Sequence, residues 1–384
     1  MLAPSHRDLG QRGSLSHILD DDDSGEMSAL KQRLADRLSL LRLQIATLKE
    51  RIEGVLRAKE EDIDWSNMGA PADEYGFSVR RVLTGHMADC YALGWSGDNV
   101  TLASAAIDGR IILWDTITRI KKGLVTLASP WIMTTAFEQR TNELLVSGGI
   151  DANLSIFRTR DILRAPPSLE PTPVHKLLTG HDGYVTSARF LSNERIVSGS
   201  GDGSAAVWDL MLNERIANYR DHKVDVTGVS VHPQDCAVFA TSSSDRTLKI
   251  WDSRGKENNA CVMTLTGFLG DATAVEFFNS GNFIAGTSTD STLRIFDLRT
   301  SQPIGIYTDE RINTAAHALA ISKSGRLVFV AYESPELVAW QVTSSDGTFH
   351  ELVAHSDHVK AVALNSAGEA IATTGFDQRV VIWC

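Results

Sequence analysis

A strand-ending aromatic recurs along most of this chain, at Trp114, Phe157, Trp208, Trp251, Phe296, Trp340 and Trp383. The steps between them are 43, 51, 43, 45, 44 and 43 residues. Six residues before each aromatic stands Asp108, Asp151, Asp202, Asp245, Asp290, Ser334 or Asp377. A Gly-His pair opens the unit at Gly85-His86 and Gly180-His181, and weakens to Asp221-His222, Gly267-Phe268 and Ala354-His355. A period of this length marks a small supersecondary unit that cannot bury both its faces alone, so successive units must stack. Within each unit the pattern is strand, turn, strand.

Seven such units predict an all-β fold, a seven-bladed β-propeller over residues 78–384 with four antiparallel strands per blade. The residue types have structural reasons. Asp bonds its own backbone in a tight turn. A buried His in the opening loop can pair with that Asp, whose charge needs a partner once buried. The Trp covers the pair and offers its indole N–H to a hydroxyl such as Ser198 or Ser242. The set His86, Asp108, Trp114, His181, Asp202, Trp208, His222, Asp245, Trp251, His355, Asp377 and Trp383 is therefore read as framework. Its Ser, His and Asp members are not a catalytic triad, because they repeat with the architecture.

A ring must also close. The last aromatic strand ends at Trp383, one residue before the end of the sequence, and Arg80-Arg81-Val82-Leu83 has no blade of its own. This early strand is expected to become the outer strand of the seventh blade, removing two exposed edges. The long step of 51 coincides with Ala165–Pro173, whose four prolines cannot lie in a sheet interior. They are expected to form a surface loop between the second and third blades.

Before residue 78 the pattern changes. Residues 1–26 are acidic and polar, net −4, and read as a disordered extension. In residues 27–62 Leu34, Leu38, Leu41, Ile45, Leu48, Ile52 and Val55 alternate spacings of four and three, a coiled-coil seam. Arg37, Arg42, Lys49 and Arg51 flank the seam and would repel their like in a homodimer, so a different, acidic partner helix is expected. Residues 63–77 connect this helix to the repeats.

The formal net charge is −11, of which −9 falls on residues 63–384. That balance argues against nucleic acid, which rewards clustered Lys and Arg, and against direct binding to an anionic membrane. Cys90, Cys236, Cys261 and Cys384 lack metal-ligand spacing and read as free thiols of a reducing compartment. The N-terminus shows no apolar stretch of signal-peptide type. Gly199–Gly203 resembles a phosphate loop but sits at a repeat turn with no helix after it. No catalytic constellation, cofactor motif or metal set is found, and no polar cluster is expected in the central channel, so the chain is read as a non-enzyme.

The heptad helix, short linker and repeats together resemble the beta subunit of heterotrimeric G proteins, a WD-repeat family. Arg80–His86, Ile111–Asp115, Pro130–Thr134, Gly148–Asp151 and Ser322–Leu327 carry the likeness in order. The resemblance implies a gamma-subunit partner along Leu38, Leu41, Ile45, Leu48, Ile52 and Val55. It implies an alpha subunit, exchanged for effectors, on a ring-shaped face holding Tyr91, Arg110, Trp131, Met133, Ile150, Tyr184, Asp225, Thr227, Asp271 and Phe376. Ile112 and Lys121 would meet the alpha subunit from the side of the first blade. It also implies signalling below G-protein-coupled receptors, in the cytoplasm at the inner face of the plasma membrane, held there only through a lipidated gamma chain. Asp89, Pro130, Ala152, Thr289 and Phe376 depart from the family's usual residues. The other reading is a WD-repeat adaptor of a ubiquitin-ligase or trafficking complex that uses the coil to assemble.

Overall fold

The computed structural model describes residues 77–165, 170–255, 260–342 and 349–384. The heptad helix, with Leu38, Leu41, Ile45, Leu48, Ile52 and Val55, lies outside them, as does the acidic extension.

Seven four-stranded antiparallel sheets form from 28 strands in the described residues. The innermost strand of each blade is β2 (Cys90–Trp95), β6 (Ile132–Phe137), β10 (Val185–Ser192), β14 (Val226–Val231), β18 (Ala272–Phe277), β22 (Ala316–Ile321) and β26 (Val359–Leu364). Each packs against the next and β26 packs against β2, so the seven enclose a central channel. Neighbouring blades bury one apolar cluster between each pair, seven in all. The middle strands are sandwiched on both sides. They therefore read as continuous runs of small and branched residues, such as Thr101–Ala106, buried throughout.

The ring closes as the sequence predicts. Strand β1 (Val79–Thr84) pairs antiparallel with β28 (Arg379–Trp383) and completes the seventh sheet. Leu83 enters the cluster shared by the last and first blades.

The proline-rich stretch falls elsewhere than expected. It lies inside the second blade, between β8 (Leu154–Arg158) and that blade's outer strand β9 (Lys176–Leu178), which pair directly. Prolines exclude a sheet interior, but they do not say which of two neighbouring connections they occupy. The insertion begins with a short helix α1 (Thr159–Arg164), whose Ile162 is buried against Gly123 of β5 (Lys121–Thr126), the outer strand of the first blade. A Cβ on Gly123 would meet the Ile162 side chain at 2.7 Å. Thr172 then closes the end of that edge: its N–H donates to Thr126 O (2.7 Å) and its hydroxyl accepts from Thr126 N–H (3.0 Å).

Candidate functional site: the ring face and the mouth of the channel

The turns carrying Asp and the loops carrying His emerge on one face of the disc, and a hydrogen-bonded chain holds them there. In the third blade the Trp208 indole N–H donates to Ser198 Oγ (2.8 Å), and Ser198 meets His181 Nε2 (2.7 Å). His181 Nδ1 faces Asp202 Oδ2 (3.2 Å). Only one proton order satisfies every member: Trp gives to Ser, Ser gives to Nε2, and Nδ1–H gives to the carboxylate. Backbone N–H of Asp182 and Ser204 also donate to Asp202. These bonds, with the Ser204 hydroxyl, more than offset burial and hold its carboxyl down at about 2. Burial lowers His181, which stays a neutral ring.

The fourth and seventh blades repeat the chain through His222–Asp245 (2.8 Å) and His355–Asp377 (2.9 Å). Their indoles donate to Thr241 and Thr373. Ser242 does not take the indole proton as expected; it pairs with Thr227 (2.8 Å), because its side chain points to the opposite side of the strand. In the fifth blade Phe268 stands where His would and packs on Phe296. In the sixth, Trp340 donates to the buried Tyr332 hydroxyl (3.1 Å).

The first blade departs from the pattern. His86 Nε2 meets Ser104 Oγ (2.5 Å), and Trp114 donates to the same oxygen. Yet buried His86 Nδ1 has no partner, so the expected His86–Asp108 pair does not form. Asp108 turns to Arg110 instead, accepting its backbone N–H (3.1 Å) beside its guanidinium (3.9 Å). Burial, with the charges of Lys121 and Arg110, drops His86 to about 4.

On this frame stand the sequence-predicted docking residues. Trp131 is 42% exposed and adopts φ +62°, a left-handed conformation unusual for a bulky residue. It is pinned from both sides: its N–H donates to Ile107 O of the first blade, and its carbonyl accepts from Ile150 N–H. Gly149 is required there, since a Cβ would sit 2.2 Å from the Trp131 carbonyl oxygen. Ile150 is also exposed. Tyr91 packs on Phe376 (5.6 Å between rings), and His358 meets Phe376 edge-on (6.0 Å). The Tyr184 hydroxyl donates to Asp225, which pushes the phenol up to about 12. Asp271 is exposed, and Arg110 reaches toward the exposed Met87. Lys121 is exposed, donates to Gly85 O (3.2 Å) and lies over Trp114.

Ile112 does not join this surface. It is 3% exposed, inside the cluster between the last and first blades. The middle strands are covered on both faces, so alternation along β4 (Arg110–Asp115) leaves no outward side there.

The second residue of each inner strand forms one layer at the channel mouth: Tyr91, Met133, Thr186, Thr227, Thr273, His317 and Lys360. The Thr186 and Thr227 hydroxyls donate across to Val226 O and Ala272 O of the next blade, stitching the layer together. Lys360 Nζ meets His317 Nδ1 at 3.2 Å and lies 5.5 Å from the Tyr91 ring centre. Three residues deeper, Arg189 and Glu276 act on each other across the channel. Enclosure by the inner strands pushes Glu276 up to about 8, opposed by Arg189. The channel therefore does hold polar residues, contrary to the sequence expectation. The signal for them was the register: the second position of each inner strand falls in the mouth layer, and Arg189 and Glu276 share the fifth position of theirs.

This is a seven-bladed WD-repeat propeller. Among the described residues no cluster of His, Cys, Asp and Glu could hold a metal. The family model described as G protein beta WD-40 repeat protein matches residues 35–384, and the chain belongs to that family of non-enzymatic scaffolds. It is 30% identical over 321 residues to a guanine nucleotide-binding protein subunit beta of Oryza sativa subsp. japonica, covering 79% of this chain and 82% of that protein. A beta-1 subunit of Nicotiana tabacum is 30% identical over 320 residues, with 79% and 82% covered. The Arabidopsis thaliana subunit beta is 29% identical over 316 residues, at the same coverage.

Proposed function

We propose that the chain works as the beta subunit of a heterotrimeric G protein. Residues 27–62 pair with a gamma-type helical chain along Leu38, Leu41, Ile45, Leu48, Ile52 and Val55. The ring face binds a GDP-loaded alpha subunit, which masks it from effectors until GTP remodels the alpha contact. Membrane attachment is indirect, through a lipidated gamma partner at the inner face of the plasma membrane. The mechanism is competition for one surface, and no bond is made or broken in this chain.

The observation that carries the reading is Trp131. A large aromatic held exposed in a strained backbone, fixed by two blades and a required glycine, is costly unless it anchors a partner. Purification of the full chain from its native cells should bring down a small helical chain of gamma type. Trp131→Ala should weaken alpha-GDP binding by at least roughly tenfold, as expected of an aromatic hot spot. A chain that dimerises without such a partner, and whose alpha-GDP affinity ignores Trp131→Ala, would instead be an adaptor.

A further inference from the structure

The channel-mouth layer holds one cation that the docking residues above do not include. Lys360 projects from β26 between the sixth, seventh and first blades. One of its three N–H bonds is given to His317 Nδ1 (3.2 Å). The Tyr91 ring forms a second wall at 5.5 Å, where a π face attracts the charge but accepts no strong directed bond. Glu333 acts on the ammonium only through space. His317 is held near 4 by burial and by Lys360, so it is a neutral ring. With Nδ1 accepting, its proton sits on Nε2, and that nitrogen is a donor as well.

The mouth therefore offers the Lys360 ammonium, held in place through His317 Nδ1 and with N–H bonds left to donate. The N–H bonds that Lys360 does not give to His317 suit an anionic oxygen acceptor, which makes a short charge-assisted bond to an ammonium. A single cation partly offset by Glu333 suits a carboxylate better than a doubly charged phosphate, which calls for clustered Arg. The surroundings say where the carboxylate comes from. Asp182 is held by Arg220 (3.1 Å) and Asp225 by the Tyr184 hydroxyl, and among the described residues no ring carboxylate is bonded to Lys360, so its acceptor must come from the partner. Lys360 lies beside the Tyr91–Phe376 pair, within the footprint of a docked protein.

We propose that Lys360, backed by His317 and Tyr91, receives an Asp or Glu side chain of the protein that covers the ring face, and so helps to select that partner. The inference rests on reading the ring face as the alpha-docking surface. Its test is a coupling measurement on the full chain as purified. Alpha-GDP affinity is measured for the wild type, Lys360→Met, Lys360→Gln and Trp131→Ala, each against alpha variants in which exposed Asp and Glu are replaced singly by Asn or Gln.

Lys360→Met and Lys360→Gln should each weaken binding by roughly tenfold or more, as for truncation of one member of a desolvated charge pair. One alpha carboxylate should matter in the wild type and cease to matter in both Lys360 variants. Unchanged affinity in both Lys360 variants, alongside loss in Trp131→Ala, overturns the inference and leaves the docking surface standing. Weakened binding that couples to no single alpha carboxylate also overturns it, since Lys360 would then act through the fold. Absence of alpha binding by the wild type overturns the docking reading and the inference together.

Discussion

Removing Ser198 should cost far more than removing His86, although both belong to the same repeating chain of hydrogen bonds. Ser198 is fully buried and serves two neighbours at once, the Trp208 indole N–H (2.8 Å) and His181 Nε2 (2.7 Å). Ser198→Ala removes the hydroxyl that serves both. Each orphaned buried group costs about 1–3 kcal/mol, so for two the loss should be ~2–6 kcal/mol. His86→Phe differs, because His86 Nδ1 is already unpartnered and the ring is already neutral. Phe fills the equivalent place in the fifth blade, as Phe268 on Phe296. The apolar gain offsets the lost Ser104 bond, and the net change should lie within about 1 kcal/mol. Urea unfolding followed by Trp fluorescence reads both variants against the wild type. Equal losses for the two, or a His86→Phe loss above that of Ser198→Ala, would refute the claim that the first blade's chain is open.

Acid should destabilise the propeller in two stages. Folded His86 and His317 titrate near 4, below the ordinary value of about 6.5. The unfolded chain therefore takes up protons first, and stability present above pH ~6.5 is lost as pH falls toward 4. His86→Phe should flatten that limb of a stability-versus-pH curve. A second loss should follow between pH ~4 and ~2, as Asp202 protonates in the unfolded chain before the folded one. Ile162→Ala should cost ~2–4 kcal/mol of local stability by emptying the contact with Gly123, and limited proteolysis should cut residues 159–173 sooner. Trp131→Gly should relieve the left-handed strain and leave the unfolding midpoint unchanged or raised, while alpha binding is lost.

The repeat made most of the fold legible. Asp at the turn, the loop His and the strand-ending Trp sit at fixed offsets because one hydrogen-bonded chain needs all three, and it appears in the third, fourth and seventh blades. Closure by Val79–Thr84 was legible too, since a strand without a blade faces a blade without an edge. Three features were not. Ile112 reads as surface only if one face of its strand is open, and burial on both faces is a property of stacking. The side chain of Asp108 was free to choose Arg110 over His86, and nothing in the local sequence decides that competition. Lys360 and His317 stand 43 residues apart, and only the stacking of the sixth and seventh blades brings their nitrogens to 3.2 Å.

The most direct test of the central claim is the nucleotide dependence of alpha binding to the full chain. Affinity should be high for GDP-loaded alpha, fall by about a hundredfold or more for the GTP-loaded form, and collapse for both with Trp131→Ala, as coupling of two states through one surface requires. Equal affinity for the two nucleotide forms, or binding indifferent to Trp131, would contradict it.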